Sequence, residues 1–161
     1  MRKIGIEIKW GIIFTLCALL WMVFEKTMGW HDENIADHAT YANLFSIIAV
    51  LVFIVAVFDK RKNYYNGRIT WLQGFVSGIF ITLVVVILTP LSQWITLEWI
   101  TPEYFDNAIK YAVENNKMTE VEAKDFFNMN SYITQAMIGG LIMGVVTSAI
   151  TGAIGLIGNK K

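Results

Sequence analysis

The segment VFEKTMGWHDENIADH, residues 23–38, gathers a carboxylate and an ammonium side by side (Glu25, Lys26), both histidines of the chain (His31, His38) and three further acids (Asp32, Glu33, Asp37). Carboxylates and imidazoles are the donors of zinc-type metal sites, and equally of polar sites that recognise a substrate or accept a proton. His31 and His38 lie seven positions apart, which fits no compact helical motif of the H-E-x-x-H kind. Three readings of the cluster therefore stand together. Glu25, His31, Asp32 and His38 form an outer polar binding site; or they form a buried structural network, with Asp32 capping the next helix; or His31, His38 and Glu25 hold a metal. No nucleophile-and-base signature accompanies them, so the reading leans away from an enzyme. No cofactor is expected, with the metal kept as the alternative.

These residues follow the uncharged run WGIIFTLCALLWMVF at positions 10–24. Hydrophobic residues make up 55% of the 161-residue chain and charged ones 16%, against roughly a quarter charged in soluble domains. Mean hydropathy is +0.50. Four apolar blocks are long enough to span a bilayer core of about 30 Å: residues 8–28, 39–58, 70–97 and 131–157. Lipid leaves no partner for open strand edges, so helices are expected. The fold expected is all-α, a single membrane domain over 1–161 with four transmembrane helices. Arg2-Lys3 before the first block resembles a signal peptide, but no small-x-small cleavage site follows, so that block is expected to stay as a helix. The lone Cys17 permits no intrachain disulfide.

The formal net charge of zero hides an asymmetry. The ends of the chain and the DKRKNYYNGR loop hold nine basic residues, Arg2, Lys3, Lys160 and Lys161 among them, against two acidic ones, Glu7 and Asp59; the other two connections hold four basic against eleven acidic. The positive-inside rule then places both termini in the cytoplasm and loops 25–38 and 98–130 outside. No basic surface points to nucleic acid. Loop 98–130 carries helix signals: Thr101-Pro102 as cap and first turn, a stripe of Phe105, Ile109, Ala112 and Val113, and Thr119-x-x-Glu122 as a capping box. A two-helix extracytoplasmic cap over 101–127 is the expectation.

Within this frame, twenty residues from Lys9 reach roughly Met28 at about 1.5 Å each, so Glu25 falls about a turn inside the outer edge. A carboxylate there must face the bundle and find a partner, whereas Lys26 can snorkel. His31 or His38 is the expected partner. Pro90 breaks the third block in TPLSQW and makes Pro90, Gln93 and Trp94 candidate pocket residues, beside the simpler reading that Ser92 and its neighbours re-satisfy the helix. Trp94 and Trp99 also fit the interfacial aromatic belt, or a stack on a sugar or headgroup. Gly140, Gly144, Ser148 and Gly152 recur at spacing four and face Gly74 and Gly78, a pattern for close helix packing within the chain or in a homodimer.

The stretches WGIIFTLCALLWMVFEKTMGWHDENIADH, FDKRKNYYNGRITWLQGFVSG, TPLSQWITLEWITPEYF and KMTEVEAKDFFNMNSYI together resemble the domain of unknown function 4199 family. The resemblance implies a small bacterial four-helix protein of the inner (cytoplasmic) membrane with no assigned activity, often found beside enzymes that attach sugars to polyprenyl phosphate; it carries over no catalytic residue. Three functions follow as expectations: non-enzymatic transport, flipping or presentation of a small or lipid-linked molecule; an accessory or assembly subunit, with a homodimer or membrane-complex partner; or a metal-dependent membrane enzyme. The bilayer itself is the first partner.

Overall fold

The computed structural model describes residues 4–159, so Arg2, Lys3, Lys160 and Lys161 lie outside the described residues. Helix follows helix: α1 (Gly5–Thr27), α2 (Ile35–Tyr41), a 3-10 turn (Ala42–Leu44), α3 (Phe45–Asn63), α4 (Trp71–Ile95), a π turn (Thr96–Ile100), α5 (Tyr104–Glu114), α6 (Glu120–Phe126) and α7 (Met129–Ile154). No strand occurs among the described residues. Four stretches are long and apolar enough to cross a membrane: Gly5–Thr27, Ile35–Asn63, Trp71–Ile100 and Met129–Ile154. They match the four apolar blocks. The second runs longer than its block because the polar DKRKN segment continues the helix.

The chain packs as two compact units, and α1, α4 and α7 contribute to both. The first comprises the described parts of Met1–Leu16 and Ile138–Lys161 together with Ser46–Leu88. Its core holds Phe53, Ala56 and Ile81, with Trp10, Phe14 and Val85 against them. The small residues of α4 and α7 meet as their spacing suggests. A Cβ on Gly74 would lie 2.9 Å from the Cα of Gly152, one on Gly78 2.5 Å from Ser148 Oγ, and one on Gly144 2.3 Å from a Thr82 methyl. Gly140 stands apart, its nearest neighbour being a Val86 methyl at 4.0 Å. Three of the four stripe positions on α7 thus serve packing inside the chain. Arg61 closes the C-terminal end of α7, donating to the carbonyls of Gly155 at 3.0 Å and Ile157 at 2.5 Å, where a cation suits the helix dipole.

The second unit comprises Cys17–Phe45 and Thr89–Met137. Leu97, Tyr104 and Ala108 form its core, with Ile35, Phe105, Phe127, Met129 and Tyr132 packed around them. The Thr119 capping box forms as expected: Thr119 Oγ1 accepts from the Glu122 amide at 3.3 Å, and Glu122 Oε2 accepts from the Thr119 amide at 2.9 Å. Two expectations for the neighbouring helix need correction. Thr101 is no N-cap: its amide closes the π turn onto the Thr96 carbonyl at 2.8 Å, and α5 starts three residues later behind Glu103, which supplies no side-chain cap. The buried stripe of α5 is Tyr104, Ala108 and Ala112, with Phe105, Ile109 and Val113 at its half-buried edge. Pro90 stays inside α4, where Ser92 Oγ donates to the Thr89 carbonyl at 3.0 Å.

Candidate functional site

The last turn of α1 carries Glu25, whose side chain is wholly buried. One turn earlier on the same face, the Trp21 indole donates to Glu25 Oε1 at 2.6 Å, the ordinary reach of an i, i+4 pair. The chain then reverses. Gly29 takes a positive φ of 74°, a conformation that costs glycine nothing, and the Asn34 side chain and amide bind the carbonyls of Met28 and Gly29. This turn brings His31, 3% exposed, back over the helix end, with Nε2 3.1 Å from Glu25 Oε2. From α2, His38 sets its Nε2 3.5 Å from the same oxygen.

The first residue of α5 completes the group. The Tyr104 hydroxyl lies 3.3 Å from His38 Nδ1 and 2.8 Å from the Tyr132 hydroxyl. Its ring stands 5.2 Å from each imidazole. One turn on, Asn107 donates to the His31 carbonyl at 3.1 Å. A carboxylate only accepts, so an Nε2 proton on each imidazole suits Glu25, and in that tautomer His38 Nδ1 accepts from Tyr104 and Tyr104 from Tyr132. Burial, with the Tyr132 hydroxyl alongside, pushes the Tyr104 phenol well above its ordinary value. It stays a neutral donor at any physiological pH.

The electrostatics are unbalanced. Lys26, next to Glu25 in sequence, turns to the Ile100 carbonyl, and among the described residues no lysine or arginine pairs with Glu25. A buried carboxylate left without a counter-charge costs several kcal/mol, yet here only an indole and two imidazoles reach it. His31 Nδ1 is buried and has no hydrogen-bond partner. A cavity of about 210 Å³ opens beside the group, lined by Glu25, His31, His38 and Tyr104 together with Met22, Ala42, Gln93, Thr96, Leu97, Thr101 and Tyr132.

The expected site residues thus divide. Glu25, His31 and His38 converge, their donor atoms all within 4.8 Å of one another. Asp32 does not join them. It is exposed, its Oδ1 accepting the Glu33 amide at 2.6 Å, and it does not cap α2 either, since Asn34 stands at that position. Of the residues around the proline, Gln93 lines the cavity, whereas Pro90 and Trp94 are exposed, the latter with its ring 5.8 Å from that of Trp99. Trp21, Tyr104 and Tyr132 belong to the site and were not foreseen; only Trp21 had a signal, its i−4 spacing from Glu25.

A second buried carboxylate was also hidden among the counted charges. Glu7 on α1, 2% exposed, pairs with Lys60 on α3 at 2.8 Å and accepts from Ser77 Oγ on α4 at 2.8 Å. Its Oε2 is buried without a hydrogen-bond partner.

The model of the family described as "Protein of unknown function (DUF4199)" matches residues 9–155. Comparison with curated proteins and with solved structures returns no match.

Proposed function

Because the chain belongs to the DUF4199 family of proteins of unknown function, we propose a role from the site itself: a non-enzymatic protein of a bacterial inner membrane that receives the polar head of a small or lipid-linked molecule in the Glu25–His31–His38–Tyr104 cavity, for transport, flipping or presentation. The observation that carries this reading is the cavity of about 210 Å³ lined both by the polar groups of Glu25, His31 and His38 and by Met22, Ala42 and Leu97. Ligand sites have that make-up: mostly apolar, with few placed polar groups. The charge asymmetry of the loops supports an orientation with loops 25–38 and 98–130, and so α5 and α6, on the extracytoplasmic side.

The test uses purified protein in vesicles with a fluorescent-headgroup polyprenyl phosphate, scored by an impermeant quencher. The parent chain speeds quencher access, and Glu25→Gln or Thr101→Val slows it at least tenfold. A Glu25→Gln protein as fast as the parent removes the site from the mechanism. The accessory-subunit alternative drew on the small-residue stripe of α7, but α4 already occupies Gly144, Ser148 and Gly152.

A further inference from the structure

We infer that Glu25, His31 and His38 form a binding site for one divalent transition-metal ion of the zinc class, with its remaining coordination positions turned to the cavity. Two imidazoles and one carboxylate are the donor set of open zinc centres, which keep a position for water or substrate. Zinc–ligand bonds of about 2.0–2.2 Å at tetrahedral angles separate donor atoms by about 3.3–3.5 Å. Glu25 Oε2 already stands 3.1 Å from His31 Nε2 and 3.5 Å from His38 Nε2. The widest separation in the group is within 4.8 Å, so a small rotation of the imidazoles closes the set.

Three further observations favour a cation over a purely structural network. Glu25 is buried with no lysine or arginine paired to it among the described residues, while its neighbour Lys26 is engaged elsewhere. A divalent ion supplies the missing positive charge. The outer contacts are those that orient metal ligands: Trp21 holds the second carboxylate oxygen, Tyr104 meets Nδ1 of His38, and Asn107 holds the His31 backbone. Metal ligation by Nε2 moves each imidazole proton to Nδ1, which at His31 is buried without a partner and at His38 faces Tyr104. The phenol of Tyr104 can serve there as acceptor as readily as it now serves as donor, because Tyr132 offers it a second partner at 2.8 Å. Finally, His31 and His38 both border the cavity, which leaves room for an oxygen ligand on the ion.

The inference rests on the cavity reading only for what fills those open positions: an oxygen donor such as a phosphate, a carboxylate or water. Whether the metal binds is independent of whether any cargo moves. The experiment takes the full chain in detergent, without a histidine tag and stripped by chelator, and titrates it with Co²⁺ while the visible ligand-field bands are followed. One equivalent saturates the parent, and Zn²⁺ bleaches the bands stoichiometrically. His38→Asn, at a partly exposed position, and Glu25→Gln weaken binding at least a hundredfold; Tyr104→Phe, a positioning change, weakens it by about 10–100-fold while keeping the band pattern. Helical circular dichroism and monodisperse elution accompany each variant, and Tyr104→Phe carries the test if a ligand variant fails to fold. No saturable cobalt spectrum in the parent overturns the inference, as does binding equally tight in His38→Asn and Tyr104→Phe. Metal binding without quencher-accessible cargo retires the transport reading alone; cargo movement in a protein that binds no metal retires the metal alone.

Discussion

The two compact units each bury a glutamate from α1, and they treat it differently. Glu7 meets a lysine, Lys60, whose Nζ stands 2.8 Å from its Oε1 and 4.0 Å from the centre of the Tyr64 ring. Glu25 meets two imidazoles that are cations only when protonated. A lysine–carboxylate pair balances its own charge, although Glu7 Oε2 stays buried without a hydrogen-bond partner; the imidazole group leaves its charge open to whatever binds. The surroundings differ less than the charges. Glu7 and Lys60 border a cavity of about 280 Å³ together with Tyr64, Tyr65 and Ser77, and Glu25 borders one of about 210 Å³ among aromatic rings, the Tyr104 ring standing 5.2 Å from His31 and 5.8 Å from Tyr132.

The contrast breaks most sharply at Lys60. Lys60→Met leaves Glu7 buried and unpaired, which should cost about 3–5 kcal/mol, while the double change Glu7→Gln with Lys60→Met recovers most of it. Unfolding in mixed detergent, read by circular dichroism, measures both. A single variant as stable as the parent would mean that the pair is not the closed unit described. The glycine seam comes next. Gly78→Ala drives a Cβ to 2.5 Å from Ser148 Oγ and 3.0 Å from the Ser148 backbone, and overpacking of this kind costs about 1–3 kcal/mol. Gly140→Ala on the same stripe meets nothing closer than 4.0 Å and leaves stability unchanged or raised. Equal losses at both positions would deny that the seam ends before Gly140.

At Tyr104 the effect should be smaller because a neutral hydroxyl is lost and not the partner of a charge. Tyr104→Phe removes the hydroxyl between His38 Nδ1 and Tyr132, so about 1 kcal/mol is expected in the same unfolding experiment. A loss as large as that of Lys60→Met would make the aromatic group as rigid as the ion pair, and the comparison would fail from the other side.

Much of this was legible in the residues. Apolar run length marked four helices long and apolar enough to cross a membrane to within a few residues, because length and composition are local properties of the chain. The Thr119–Glu122 box and the small-residue stripe formed as their spacing demanded, since both are local or one-helix patterns. Glu25 and its histidines were legible too, since a carboxylate a turn inside a span needs a partner. What stayed hidden depends on tertiary placement. Tyr104 lies outside the expected stripe of Phe105, Ile109, Ala112 and Val113, and only the start of α5 after Glu103 turns Tyr104, Ala108 and Ala112 inward. Tyr132 carries no local signal at all. Glu7 and Lys60 read as loop charges because 53 positions separate them in the chain, and only the packing of α1 against α3 makes them a pair.

The smallest effect concerns the exposed helix α6, where charge is again matched locally. The Thr119 backbone amide, then its hydroxyl, hold the Glu122 carboxyl below its usual 4.5. A carboxyl depressed in the folded chain stabilises the helix start above its unfolded value, and that contribution fades as pH falls through the lower, folded value. The Thr119 amide resonance should therefore move with pH at a midpoint below 4.5, and the first turn of α6 should fray only under that acidity. Glu122→Gln keeps an oxygen to accept the Thr119 amide but nothing to titrate, so the shift should vanish while the turn persists. Lys124, bonded to Glu120 at 2.6 Å on the exposed side of the same helix, gives the internal control. Lys124→Ala should weaken the solvent-screened i, i+4 pair only slightly and leave the Thr119 midpoint where it was. If the midpoint follows Lys124 instead, the helix start is governed by general surface charge, and the capping box is not what lowers Glu122.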